Sequence, residues 1–155
     1  MPENPKQKGK VTVDDMSAFL CRFENGAVGI FEATRFALGR KAHNKIEVNG
    51  SKGSLVWCSE DMNFLEFYSE DDPKHIRGFR KILATENVHP YIKGYWPPGH
   101  IIGYEHTFIN GLVDFACAFA RGKMPKPNLE DGLRNQMILE AVIKSAETKK
   151  WIQVN

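Results

Sequence analysis

Between His89 and His106 the chain gathers three of its five histidines and three of its four tyrosines, with Trp96 among them. The run from Gly94 to Phe108 reads GYWPPGHIIGYEHTF. Imidazoles beside a carboxylate can hold a metal ion, and His100, Glu105 and His106 are the candidate ligands. Glu105 and His106 are neighbours on an expected helix, however, so their side chains diverge by about 100° and converge poorly on one ion. No metal site is expected. Aromatic faces interleaved with hydrogen-bonding side chains suit a sugar or polyol instead. The rings cover C–H patches while His, Tyr, Glu or Lys meet the hydroxyls. The same run also reads as an ordered loop, with Tyr95 and Trp96 packed under a sheet and Pro97-Pro98 stiffening the backbone. The residues alone leave both readings open.

Elsewhere the chemistry-bearing motifs are missing. There is no Gly-x-Gly-x-x-Gly, no P-loop, no Gly-x-Ser-x-Gly elbow and no His-Glu-x-x-His. Asn49-Gly50-Ser51-Lys52-Gly53 resembles a phosphate loop, but it precedes a strand rather than a helix and so reads as a hairpin turn. His75 lies in a charged loop, and His43 opens a strand with no evident partner. Arg35 and Arg40 read as solvated strand ends. Cys21, Cys58 and Cys117 are far apart and odd in number, and each has apolar neighbours. They read as reduced core thiols, with the cytoplasm as the default compartment.

The elements that must position these residues fall into two groups. Met16 to Phe23 alternates in period two, Asn25-Gly26 is a favoured two-residue turn, and a second strand continues through Val28 and Ile30. Further strands are expected at Lys45 to Val48, Ser54 to Cys58, within MNFLEFYSE after Asp61, and within IRGFRKILATE. Short connections favour an antiparallel meander. In the last third, Tyr104, Phe108, Leu112, Phe115 and Phe119 recur at helical spacing, which predicts a helix over 103–121 ended by Gly122. Asn128 can cap a second helix running to Thr148, with Glu130 and Asp131 in its first turn. Its buried face is expected at Leu133, Met137, Ala141 and Val142, and WIQV closes the chain as a short strand. Strands first and helices later predict an α+β fold: a mainly antiparallel, open-faced sheet of about six or more strands with two long C-terminal helices on one face. Residues 1–10 form a flexible lead-in or linker stub, and 11–155 a single partial domain. The first strand has apolar residues on both parities, which points to a buried oligomer interface.

A hydrophobic fraction of 42% and a charged fraction of 26% are those of a globular protein. A net charge of +2, with scattered Lys and Arg, argues against nucleic acid. No apolar run approaches ~18 residues, and the polar N-terminus is no secretory signal, so no membrane partner is expected.

Several ordered motifs together resemble the C-terminal domain of the Gfo/Idh/MocA oxidoreductases. They are the Asp before the first strand, F-x-NGA-x-G at the hairpin and I-x-V-x-G-x-x-G-x-L after it. WPPGHIIGYEHTF, EDGLRNQMILEAVIKSA and the closing W-I-x-V follow in order. The resemblance covers roughly residues 11 to 154. It implies a parent enzyme that transfers hydride between NAD or NADP and a sugar-like or polyol carbon. The parent's Rossmann domain, its Glu-Lys-Pro motif with the catalytic Lys, and its Asp-x-x-x-His helix are not in this chain. Asp71 to His75 has that last spacing, but it contains Pro73 and sits between strands, so it is rejected as the pair. The resemblance therefore implies no catalytic and no cofactor-binding residue here, and no cofactor for the fragment alone. It makes the chain one wall of a substrate pocket, with Trp96 stacking, His100 and Tyr104 on hydroxyls and His106 as a further contact. It also implies a homo-oligomer built through the sheet face. The alternatives are a non-enzymatic oligomerisation module and an independent sugar-binding module.

Overall fold

The computed structural model describes residues 9–154. The chain divides into two compact units, one ending at Arg40 and one beginning at Lys41. Residues 1–8 of the expected lead-in lie outside the described residues, and Gly9 and Lys10 belong to no helix or strand.

The first unit is an antiparallel hairpin of β1 (Met16–Arg22) and β2 (Val28–Thr34). The backbone N–H of Phe23 donates to Ala27 O at 2.8 Å, so pairing runs one step past the strand ends. The connection is therefore the three residues Glu24, Asn25 and Gly26, rather than the two-residue turn expected from Asn25-Gly26. Only Gly26 takes a left-handed conformation, φ +87°, while Asn25 turns its Oδ1 back to accept from Ala27 N at 3.1 Å. This is the usual three-residue solution, in which a single left-handed residue matches the strand twist. Phe19 and Phe31 are cross-strand partners and stack with centroids 4.9 Å apart. On the opposite face Leu20 pairs with Ile30, and Ile30 is 81% exposed.

The second unit contains an antiparallel meander in the order β3 (Lys45–Gly50), β4 (Gly53–Cys58), β5 (Phe64–Ser69) and β6 (Arg80–Leu83). Side chains alternate across a sheet, so the register sorts them by face. Ile46, Val48, Leu55, Trp57, Leu65 and Phe67 share one face, and Glu47, Val56, Glu66 and Lys81 form a row on the other. β3 lies at the sheet edge, and Ile46 is 60% exposed.

Gly53 permits the close approach of β4 and β5. A Cβ there would stand 2.4 Å from the Tyr68 carbonyl oxygen. Gly53→Ala must push the strands apart, at a cost of about 1–3 kcal/mol. We expect a melting temperature lower by roughly 3–10 °C in a thermal unfolding experiment. An unchanged midpoint would mean that the strands do not approach so closely.

Two helices follow, α1 (Tyr104–Ala120) and α2 (Leu129–Thr148). The N-terminus of α2 is closed as its sequence suggests. Asn128 Oδ1 accepts from Glu130 N at 2.8 Å and Asp131 N at 3.2 Å, and Asp131 Oδ2 accepts from Asn128 N at 2.9 Å. This reciprocal pair satisfies donors that a helix start otherwise leaves open. Gly122, φ +62°, follows α1, and Lys149 adopts a left-handed conformation after α2.

Three further expectations fail. Trp151 to Val154 forms no strand, because an alternating apolar tetrapeptide supplies a side-chain pattern but no ladder partner. Met137, Ala141 and Val142 are half-buried, but Leu133 is exposed, since the first turns of α2 receive little cover. Cys117 is also exposed on α1, so it is no core thiol, whereas Cys21 and Cys58 are half-buried. Among the described residues no helix is long and apolar enough to cross a membrane.

Candidate functional site

The loop that leads into α1 is held from beneath by polar groups on the sheet connections. Asn63 follows the short turn Ser59–Asp61 and precedes β5. Its backbone carbonyl accepts from Ala84 N at 2.8 Å, which fixes it beside the end of β6. Its side chain then grips Ile102 at two points. Asn63 Nδ2 donates to Ile102 O at 2.8 Å, and Ile102 N donates to Asn63 Oδ1 at 2.9 Å. The carboxamide thus copies the paired bonds of a β-ladder.

A second anchor is Thr85, which is fully buried and accepts at Oγ1 from Gly99 N at 3.3 Å. Gly99 has φ +89°, a conformation that side-chain-bearing residues rarely adopt. Upstream, the buried Ile92 anchors a short turn, Ile92–Gly94. Two tyrosines tie that turn to α1. Tyr91 donates to Asp114 Oδ2 at 2.6 Å, a bond that holds the phenol pKa above its ordinary value. Tyr95 donates to Asn110 Oδ1 at 2.5 Å.

On this frame Trp96 and His100 line one open depression of about 480 Å³, together with Gly99 and Ile101. Trp96 is 54% exposed, so its ring can receive a ligand face. His100 Nδ1 lies 3.0 Å from Pro97 O. A carbonyl only accepts, so Nδ1 carries the proton, and Nε2 of the neutral ring offers a lone pair. Tyr104 begins α1, is 71% exposed and meets Phe108 edge-on at 5.1 Å, outside that lining. His106 turns inward. It is 14% exposed, meets Tyr95 edge-on at 4.5 Å and accepts at Nδ1 from Gly103 N at 3.1 Å. Glu105 Oε1 lies 3.2 Å from the same nitrogen. The structure therefore brings Trp96 and His100 together, sets Tyr104 apart from them and places His106 in the packing behind the loop.

Asn63 and Thr85 were missed in the sequence. Their only signal is a polar residue within an apolar context, in MNF and ILAT.

Neither helix start is arranged for the pyrophosphate of a nicotinamide cofactor. That group needs open backbone donors at a helix N-terminus. At α1 the Glu105 carboxylate sits so close that a Cβ on Gly103 would meet Oε2 at 2.6 Å. At α2 the donors are taken by Asn128, beside Glu130 and Asp131. Both starts are acidic.

Residues 1–154 match the model of a family described as the oxidoreductase family, C-terminal alpha/beta domain. A levoglucosan dehydrogenase of Pseudarthrobacter phenanthrenivorans is 40% identical over 148 residues, covering 95% of this chain and 38% of that protein. Among solved structures, an oxidoreductase domain protein from Kribbella flavida has 53% identity and a TM-score of 0.92, over 95% of this chain and 38% of that one. A levoglucosan dehydrogenase in complex with NADH and levoglucosan has 40% identity and a TM-score of 0.90, over 95% and 40%. The chain thus spans about two fifths of the length of these relatives.

Proposed function

This chain belongs to the Gfo/Idh/MocA oxidoreductase family as its C-terminal domain, and from that premise we propose that it supplies one wall of a sugar or polyol pocket in an NAD(P)-dependent dehydrogenase. The observation that carries this reading is the shared depression of Trp96 and His100 above a loop pinned at Gly99 and Ile102. Trp96 stacks on a C–H face of the substrate, and His100 Nε2 accepts from a hydroxyl. Tyr104 adds its phenol at the rim, and His106 braces the loop through Gly103 and Tyr95. NAD or NADP, held by a preceding domain, takes or returns the hydride. No residue of this chain is assigned to proton transfer or cofactor binding, and the segment by itself is inactive. The test is kinetic: His100→Ala in an enzyme that carries this segment behind a nicotinamide-binding domain.

The exposed apolar residues of the sheets favour a companion role in self-association. Ile46 and Val48 lie on one face of the edge strand β3, beside Trp57 and Leu55 of β4. A contiguous apolar sheet face on a folded chain marks an interaction surface, and a second copy supplies an equally apolar face with symmetric closure. Sedimentation equilibrium should show dimers or larger. Val48→Lys should shift the population to monomer by at least tenfold in dissociation constant. A strict monomer at high concentration would remove the role.

A further inference from the structure

We propose that His43, Cys58 and Glu60 form a binding site for a divalent cation of the zinc type. Pairing of Lys45 with Cys58 brings the end of β4 beside the segment before β3. His43 Nδ1 lies 2.9 Å from Glu60 Oε2 and 3.3 Å from Cys58 Sγ. All three ligand atoms fall within 4.8 Å of one another.

At Nδ1, hydrogen bonding engages only one of the two neighbours at a time. Nδ1 has one in-plane position, filled either by a proton or by a lone pair. With a proton, it donates to the carboxylate and leaves the thiol without a role. Without one, it can accept from the thiol, but then faces the carboxylate lone pair against lone pair. A cation between the three atoms turns all of them into ligands at once.

The spacing is close to what a cation needs. Zinc bonds of about 2.0–2.3 Å in tetrahedral geometry place N and O about 3.3 Å apart, and N and S about 3.6 Å apart. The N···O and N···S separations must open by only a few tenths of an ångström, and Cys58 Sγ and the Glu60 carboxylate, within 4.8 Å of one another, must settle at about 3.6 Å. The frame around the ligands is held by independent bonds. Glu60 Oε1 accepts from Lys41 N at 3.0 Å, Ser59 Oγ accepts from Asn44 N at 2.9 Å, and Ser59 N donates to Asn44 O at 2.9 Å. Such fixed outer contacts orient ligands before the ion arrives. His43 and Glu60 are 26% and 30% exposed, which leaves an entry path and a fourth position for water. A thiolate with an imidazole favours zinc over magnesium or calcium.

The full chain, stripped with a chelator, is titrated with Co²⁺ as a coloured probe and then with Zn²⁺. One equivalent of Co²⁺ should produce a thiolate charge-transfer band and tetrahedral visible absorption, both displaced by Zn²⁺ and unaffected by Mg²⁺. Cys58→Ser should abolish the charge-transfer band. His43→Ala and Glu60→Gln should weaken binding by at least tenfold, and Cys21→Ser should change nothing. A wild-type chain without the band, or a band that survives Cys58→Ser, overturns the site. Should a variant fail to fold, alkylation of the wild-type thiols followed by mass spectrometry decides. Zn²⁺ must slow modification of Cys58 at least tenfold and leave Cys117 unaffected, and equal rates reject the proposal.

Discussion

On the proposed function, His100→Ala should lower kcat/KM for a sugar or polyol substrate by roughly 10- to 100-fold, the loss of a hydrogen bond of about 1.4–2.8 kcal/mol to a substrate hydroxyl. The imidazole is well suited to show this cleanly. It is exposed, and its side-chain bond runs to Pro97 O within its own loop, so its removal should leave circular dichroism and melting temperature unchanged. The split between constants locates the contact. A rise in KM alone means that His100 holds substrate and transition state equally, whereas a fall in kcat means that its bond strengthens as hydride moves. His100→Gln keeps an acceptor on a side chain of similar reach and should recover part of the loss. Kinetics identical to wild type in both variants would take His100 out of the pocket and leave the 94–103 loop as packing alone.

How much of this could be read from the chain depended on how far apart the interacting residues lie. The α2 cap was legible because Asn128 and Asp131 are three positions apart, and local spacing determines the bond pattern. The strands were legible from alternation, but the tip of the first hairpin was not. Asn25-Gly26 suits a two-residue turn, and the extra Phe23–Ala27 pairing that lengthens it is a property of the ladder. The closing WIQV run shows the same limit, since a strand requires a partner edge as well as a pattern. The candidate loop was visible as a cluster of aromatic and imidazole groups, yet its supports were not. Asn63 and Ile102 are 39 positions apart, and Thr85 and Gly99 are 14 apart. His43 shows the cost most plainly. It had no evident partner in sequence because Cys58 and Glu60, 15 and 17 positions away, reach it only after β3 and β4 pair.

That dependence makes Asn63 the residue whose loss should be felt most widely. Its side chain satisfies both backbone groups of Ile102, and it is itself almost wholly buried. Asn63→Leu keeps the branching at Cγ but leaves a donor and an acceptor of Ile102 with no partner, at about 1–3 kcal/mol for each group left unmet inside the fold. A total of about 2–4 kcal/mol corresponds to a drop of roughly 5–15 °C in melting temperature for a chain of this size. Asn63→Asp gives a graded comparison. One carboxylate oxygen still accepts from Ile102 N while the other can no longer donate to Ile102 O, so the loss should lie between wild type and Leu. Thr85→Val removes only the longer bond to Gly99 and should cost about 1 kcal/mol. The functional consequence separates support from contact. Asn63 lies outside the depression lined by Trp96 and His100, so its loss should act by loosening the backbone that carries both. The expected signature is faster amide hydrogen exchange at Gly99 to Gly103, together with a raised KM, in a variant that remains folded below its lowered midpoint. Exchange rates equal to wild type across that segment would show that the two-point grip on Ile102 does not hold the loop.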